Sequence, residues 1–305
     1  MFKLKKSAFL LLLSVVCLPG LAQSNIRLNN FWDNTYYVNP ASINVNYLAE
    51  FSTAARKQWL NLPGSPVSYF AAGTTYLDKM HMQFGLKVVQ DKIGYTSSSD
   101  IGLSYAYSIK LNNTWRLNMG LGVCYQMLSY DLGEMNLPST DIDPAIIDGL
   151  LNENNFNANL GFELDHAAWK FGASSQNLFS LFSSINKQYS NVNMLYGKYH
   201  PNTNEFFNLG YGLCGIQYGN LYQMEVNMTG YFNLSKEHDQ LQAGLFYRTR
   251  NQMGAILGVN LSNSMSMSYS YDFLLGGLSR SSVGTHEIIL SYKLSRTPKC
   301  HNCNY

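Results

Sequence analysis

The sequence is short of charge and of long apolar runs, and both shortages exclude something. Asp, Glu, Lys and Arg make up only 13 % of the 305 residues, about half the share of an average soluble domain. An ordinary cytosolic enzyme fits that poorly. Past the N-terminus, no apolar stretch approaches the roughly 18 residues of a membrane-spanning helix, which excludes a helical bundle in a bilayer. Also missing are G-x-S-x-G, H-E-x-x-H, P-loop and Rossmann fingerprints. What fills the space is Gly (24), Tyr (22) and Phe (16), with abundant Asn and Ser. Aromatics and glycine on strands, with polar amides facing water, is the composition of an outer-membrane-type β-barrel.

Residues 1–22 read as a secretory signal. Lys3, Lys5 and Lys6 form its basic region and residues 8–18 its apolar core. Pro19, Gly20, Leu21 and Ala22 place small residues for cleavage after Ala22. Cys17 follows Val15 and Val16, where a lipoprotein would need small residues, and reads as part of the apolar core. Removing the three lysines leaves 18 basic residues against 19 acidic ones, so the formal charge moves from +2 to −1. Neither the net charge nor any block of like charge attracts nucleic acid.

The rest of the chain alternates with period two. Trp115, Leu117, Met119, Leu121, Val123, Tyr125 and Met127 share one face; Arg116, Asn118, Gly120, Gly122, Cys124 and Gln126 share the other. Ile101–Ile109 and Met265–Phe273 repeat the pattern. Several strands run ten or more residues, near the roughly 9–11 of a tilted membrane crossing. Their polar face is Gly, Ser, Asn and Gln with isolated charges, which suits a crowded, wet lumen better than a solvated sandwich face. Closure satisfies every backbone group, as lipid requires. The expectation is an all-β, antiparallel, up-and-down transmembrane barrel. Thirteen strands are clear, and two periplasmic ends require an even number, so the missing strand is sought in residues 186–199, giving about fourteen. Short periplasmic turns are expected at Asp78-Lys79, 111–113, Asp165-His166 and 262–264. Longer outer loops are expected at 61–65, 91–99, 131–155 and 275–285. The barrel then spans 47–295, preceded by a periplasmic segment or plug at 23–46 and followed by a periplasmic tail at 296–305.

Four patterns stand out: Asn39-Pro40-Ala41; Ala55-Arg56-Lys57-Gln58-Trp59; Pro63-Gly64-Ser65-Pro66; and Tyr269-Ser270-Tyr271-Asp272 with Thr285-His286-Glu287-Ile288 near the end. In this order, after a signal peptide, they resemble the PorP/SprF family of type IX secretion system membrane proteins. The Arg-x-Gln-Trp stretch with its Pro-Gly-x-Pro turn carries most of the resemblance. Thr285 departs from an expected Ser, and the tail after Leu294 is idiosyncratic. The resemblance implies an outer-membrane barrel of the type IX secretion and gliding apparatus, partnered with its components and with a cognate secreted adhesin.

The residues also have a reading of their own. Arg56 and Gln58 share a face with Glu50 and Ser52, so Arg56 points into the lumen, within reach of a carboxylate such as Asp272 or Glu287. Trp59 at the strand end suits an interfacial aromatic girdle. Pro63 and Pro66 stiffen the turn that follows; docking of a partner at this corner is the alternative. His286 and Glu287 point to opposite faces and form no dyad. The strand 287–294 reads as the one that closes the barrel. His81, His166, His200 and His238 are scattered, mostly at turns. Asp141 and Asp143 have Ca²⁺-like spacing but no further ligands nearby. Cys300 and Cys303 suit a small disulfide, with free thiols or a metal as alternatives. No catalytic, cofactor or metal residues are assigned. Three function classes follow: a secretion-accessory barrel, a channel or hydrophobic-ligand transporter, and an outer-membrane hydrolase. The third lacks a nucleophile and a histidine on one face.

Overall fold

The computed structural model describes residues 27–130, 152–182, 189–201, 203, 205–234, 241–249, 251–275 and 282–296. The signal sequence with its cleavage point, Cys17, Asp141, Asp143, His238 and the Cys300/Cys303 tail lie outside the described residues.

Fourteen antiparallel strands close into one barrel in which each strand pairs with its sequence neighbours and β1 pairs with β14. They are β1 Tyr47–Lys57, β2 Val67–Leu77, β3 Met82–Ile93, β4 Thr96–Lys110, β5 Trp115–Tyr130, β6 Asn152–His166 and β7 Trp169–Gln176. The second half runs β8 Val192–Tyr199, β9 Phe207–Tyr218, β10 Leu221–Phe232, β11 Leu241–Arg248, β12 Gln252–Asn260, β13 Met265–Leu274 and β14 Thr285–Ser295. The strand sought in 186–199 is β8. The even count puts both ends of the barrel chain at one rim, the near rim. Its described connections include 78–81, 111–114, 167–168 and 261–264, while the far rim carries 58–66 and the longer 177–191 and 275–284. Both rims carry tight turns as well as longer connections: the near rim also has 200–206 and the far rim also has Gly94-Tyr95 and 219–220.

The period-two faces hold strand by strand. In β5, Asn118, Gly120, Gly122, Cys124 and Gln126 are buried toward the lumen, and Met119, Leu121 and Val123 are exposed on the outside. In β1, Glu50, Ser52, Ala54 and Arg56 turn inward and Phe51 and Ala55 outward. The outer band of Leu, Val, Phe and Tyr is an apolar belt for lipid contact.

Four local expectations are corrected. The outer loop expected at 131–155 ends sooner, because Asn152–Asn155 already pair with β5 as the start of β6. Residues 91–99 are not an outer loop, because β3 and β4 continue to a tight turn at Gly94-Tyr95. The run Thr96-Ser97-Ser98-Ser99-Asp100 is polar on both faces, so the hydrophobic alternation fades while the hydrogen-bonded ladder goes on. Asp165 and His166 are the last residues of β6 rather than its turn. The turn is Ala167-Ala168, with Ala167 at φ +42°. Trp59 is not on β1, which ends at Lys57; it sits half-buried in the following turn at φ +49°.

Residues 27–46 run inside the barrel. Leu28, Phe31, Trp32, Tyr36, Tyr37 and Val38 of this luminal segment form the main apolar core, with Ala54, Phe70, Ala72, Met194, Tyr196, Cys214, Ile216 and Ile289 of the wall. Ile43 packs against Tyr76 and Ala106 in a smaller cluster nearby. The hydrophobic core of this protein is therefore the contact between a barrel and its own N-terminal strap.

Candidate functional site

Strand alternation aims isolated charges into the lumen, where burial makes an unpaired one costly. Three arginines and three carboxylates meet there. Glu225, inward on β10 between lipid-facing Met224 and Val226, accepts from Arg27 Nη2 at 2.6 Å, from Trp32 Nε1 at 2.6 Å and from Arg248 Nε. Arg248 Nη1 donates to Asn29 Oδ1 at 2.8 Å. Glu287 on β14 accepts the backbone N–H of Asn29 at 2.8 and 2.9 Å and that of Asn30 at 3.1 Å. Arg56 lies 3.7 Å from Asp272 and 4.0 Å from Glu287. All six charged side chains are buried. Burial pulls the Arg27 guanidinium down to about 10, partly opposed by Glu225, which leaves it charged at neutral pH. Three basic and three acidic side chains make the set balanced in formal charge.

Asn39-Pro40-Ala41 occupies a second seat. Gly120 and Gly161 face each other across β5 and β6. A Cβ on Gly120 would collide with the Pro40–Ala41 peptide, and one on Gly161 with Asn39 Oδ1. The paired glycines form a slot that admits the tripeptide backbone. Inside it, Asn39 Nδ2 donates to the Phe162 carbonyl at 3.0 Å and to Tyr196 Oη at 3.1 Å, while Asn39 Oδ1 accepts from Ala41 N at 2.9 Å. Tyr196 donates to Glu163 at 2.5 Å, and Lys170 Nζ stands 3.2 Å from the same carboxylate. Gly85 and Gly212 make room for Tyr36 and Trp32 in the same way.

The sequence motifs thus sort into four places. Asn39, Pro40 and Ala41 hold one end of the luminal segment, and Arg56, Asp272 and Glu287 gather at the other. Gln58, Pro63, Gly64 and Pro66 build the far-rim corner: Gln58 N donates to the Pro66 carbonyl at 2.9 Å, and Gly94 N to the Gly64 carbonyl at 3.0 Å. Tyr271 and His286 stay outside the lumen. Tyr271 donates to the Val283 carbonyl, and His286 Nδ1 lies 2.6 Å from Tyr269 Oη. Sequence reasoning missed Arg27, Trp32, Glu163, Tyr196, Glu225 and Arg248. For Glu163, Tyr196, Glu225 and Arg248 the signal was a lone polar or charged residue at an inward strand position; Arg27 and Trp32 lie in the luminal segment, on no strand. Cys124 and Cys214 are buried free thiols. Among the described residues, no group of three or more His, Cys, Asp or Glu is arranged to hold a metal ion.

A closed barrel with an apolar belt and a lumen filled by the chain's own N-terminal segment defines an outer-membrane-type β-barrel protein. The family model for the type IX secretion system membrane protein PorP/SprF matches residues 20–292, and the chain belongs to that family. No curated protein matches it. Among solved structures, it is similar to the Acinetobacter baumannii outer membrane protein Omp33, at 9 % identity and a TM-score of 0.48, over 81 % of this chain and 98 % of that one. The CymD monoaromatic hydrocarbon channel gives 10 % identity and a TM-score of 0.49, over 85 % and 91 %. The Pseudomonas putida toluene transporter TodX gives 10 % and 0.45, over 85 % and 93 %.

Proposed function

We propose that this protein is an outer-membrane component of the type IX secretion and gliding system that supports export or surface anchoring of a cognate adhesin or secreted protein, and that it works as a sealed platform rather than as a conduit. Family membership supports the secretion role. The observation that carries the platform reading is the lumen. The luminal segment is hydrogen-bonded to β1, β6, β8 and β13 through neutral groups and to β10, β11 and β14 through buried charges, and it is seated between paired glycines. A channel or hydrophobic-ligand transporter needs a continuous path where Phe31, Trp32 and Tyr37 now pack. Partners then engage the rims and the outer wall, in contact with outer-membrane lipid. Deleting the gene is expected to remove one or a few large proteins from the cell surface while other outer-membrane proteins stay at normal levels. Quantitative mass spectrometry of surface-shaved cells measures this, and an unchanged surface proteome overturns the reading.

A further inference from the structure

Strand phase sorts the charged residues of the wall almost completely. Among the described strand residues, every Asp and Glu faces the lumen, and of the lysines and arginines only Lys57 and Lys92 face outward. A charge on the lipid face costs most at the bilayer midplane and little near the interfaces. Both lysines sit at the far-rim end: Lys57 is the last residue of β1, and Lys92 is the last but one of β3. They are two strands apart in one register row, Lys92↔Val67↔Lys57. The row continues through His286 of β14 to Tyr271 of β13. His286 also lies outside the lumen, directly across from Lys57. Neither lysine lies toward the near rim, so the outer wall is basic at one end only.

Lys57 and His286 belong to the strand pair that closes the barrel, and opposite residues of such a pair hold their Cβ atoms about 4.5–5.5 Å apart. Tyr269 Oη lies 2.6 Å from His286 Nδ1, and the Tyr271 ring centroid lies 5.0 Å from that of the imidazole. With Tyr269 donating to Nδ1, the ring proton sits on Nε2, a second donor beside the Lys57 ammonium. Lys57 has no carboxylate partner among the described residues. The neighbouring loop stretch 276–281, outside the described residues, reads Gly-Gly-Leu-Ser-Arg-Ser and holds no acid. One outward position nearer the middle of the wall, the register row is Tyr69↔Ala55↔Ile288↔Tyr269. Two exposed tyrosines thus flank a small apolar stretch, and tyrosine on the outer wall marks the level of the lipid headgroups.

We propose that Lys57 and His286 form a seat for the phosphate of an anionic membrane lipid in the leaflet at the far rim, with its acyl chains against Ala55 and Ile288 between Tyr69 and Tyr269. The seat depends on the barrel's place in the membrane and not on its role in secretion. Its position chooses the occupant: donors on the lipid-facing wall, just beyond the tyrosines, meet headgroups, and a cation there draws anionic ones. Purified full-length protein in detergent is offered an equimolar mixture of phosphatidylglycerol and phosphatidylcholine, and native mass spectrometry reads the ratio in which the two are bound. Lys57→Gln is expected to lower that ratio about fivefold, and Lys57→Arg to keep it. Lys79→Gln removes the same charge from an exposed near-rim turn and is expected to leave the ratio unchanged. His286→Phe removes the Nε2 donor and is expected to lower the phosphatidylglycerol retained about threefold. Heat-shifted gel mobility checks that each variant is a folded barrel. If Lys57→Gln leaves the ratio unchanged, or Lys79→Gln lowers it as far, the seat is overturned, and undiminished retention by His286→Phe overturns the part given to the imidazole. Inorganic phosphate that displaces the lipid from the wild-type protein assigns the site to a free anion and overturns the lipid as its occupant. A purified dimer that Lys57→Gln converts to monomer assigns the face to a second copy and overturns it too.

Discussion

Glu287 shows how one inward carboxylate does several jobs. It neutralises Arg56 and caps the N–H groups of Asn29 and Asn30. Replacing it with Ala leaves Arg56 facing Asp272 alone and two backbone donors unpaired. Breaking a buried ion pair from one side costs about 3–5 kcal/mol, so Glu287→Ala is expected to lose stability on that scale in urea unfolding followed by tryptophan fluorescence. The double variant with Arg56→Met is expected to lose less than the two single losses added together, because it removes both charges. Additive losses would mean that the two side chains do not interact. The Arg56 contact with Asp272 and Glu287 was legible from the sequence, since period two fixed their face and all three sit in family-like motifs. Glu225 and Arg248 were not, because a lone charge on an inward face names no partner until strand order and the path of residues 27–46 are known.

At the scale of elements, the ladder and the luminal strap are separable. The strands were readable because lipid demands apolar residues at every second position. The β3–β4 hairpin was misread as a loop where the strands leave the apolar belt and that demand lapses. The glycine slot was unreadable for a different reason. Gly120 and Gly161 look like ordinary small lumen residues, and only the β5–β6 register puts them opposite each other. The slot makes a sharp prediction. Gly161→Val drives a side chain into Asn39 and is expected to unseat residues 39–41 without breaking β6. Chymotrypsin should then cut at Phe31, Trp32, Tyr36 or Tyr37, which are buried in the native protein. Gly102→Ala is the control, since its Cβ makes only ordinary contacts at 3.6 Å and beyond. Equal resistance of Gly161→Val and the control would show that the slot does not hold the segment.

For the whole molecule, the question is what the luminal segment does to permeability. The fourteen strands satisfy one another's backbone groups without it, so the wall does not need the segment in order to close. The inward faces it leaves behind mix Gly, Ser, Asn and Gln with the apolar wall of the core, Phe70, Met194, Ile216 and Ile289 among them, and the space it vacates in a barrel of this size is expected to fill with water. Purified wild-type protein is expected to be silent in a planar bilayer, and protein lacking residues 27–46 to give stepwise conductance. The sign of its selectivity follows from the charge cluster. With Arg27 gone, Arg56 and Arg248 face Glu225, Asp272 and Glu287, an excess of one negative charge at that depth. The open form is therefore expected to prefer cations, and the reversal potential in a KCl gradient measures that preference. Glu225→Gln in the same deletion background removes the excess and is expected to move the reversal potential toward zero. Silence after the deletion would mean that the seal lies elsewhere, and conductance of the intact protein would mean that residues 27–46 leave a path for ions.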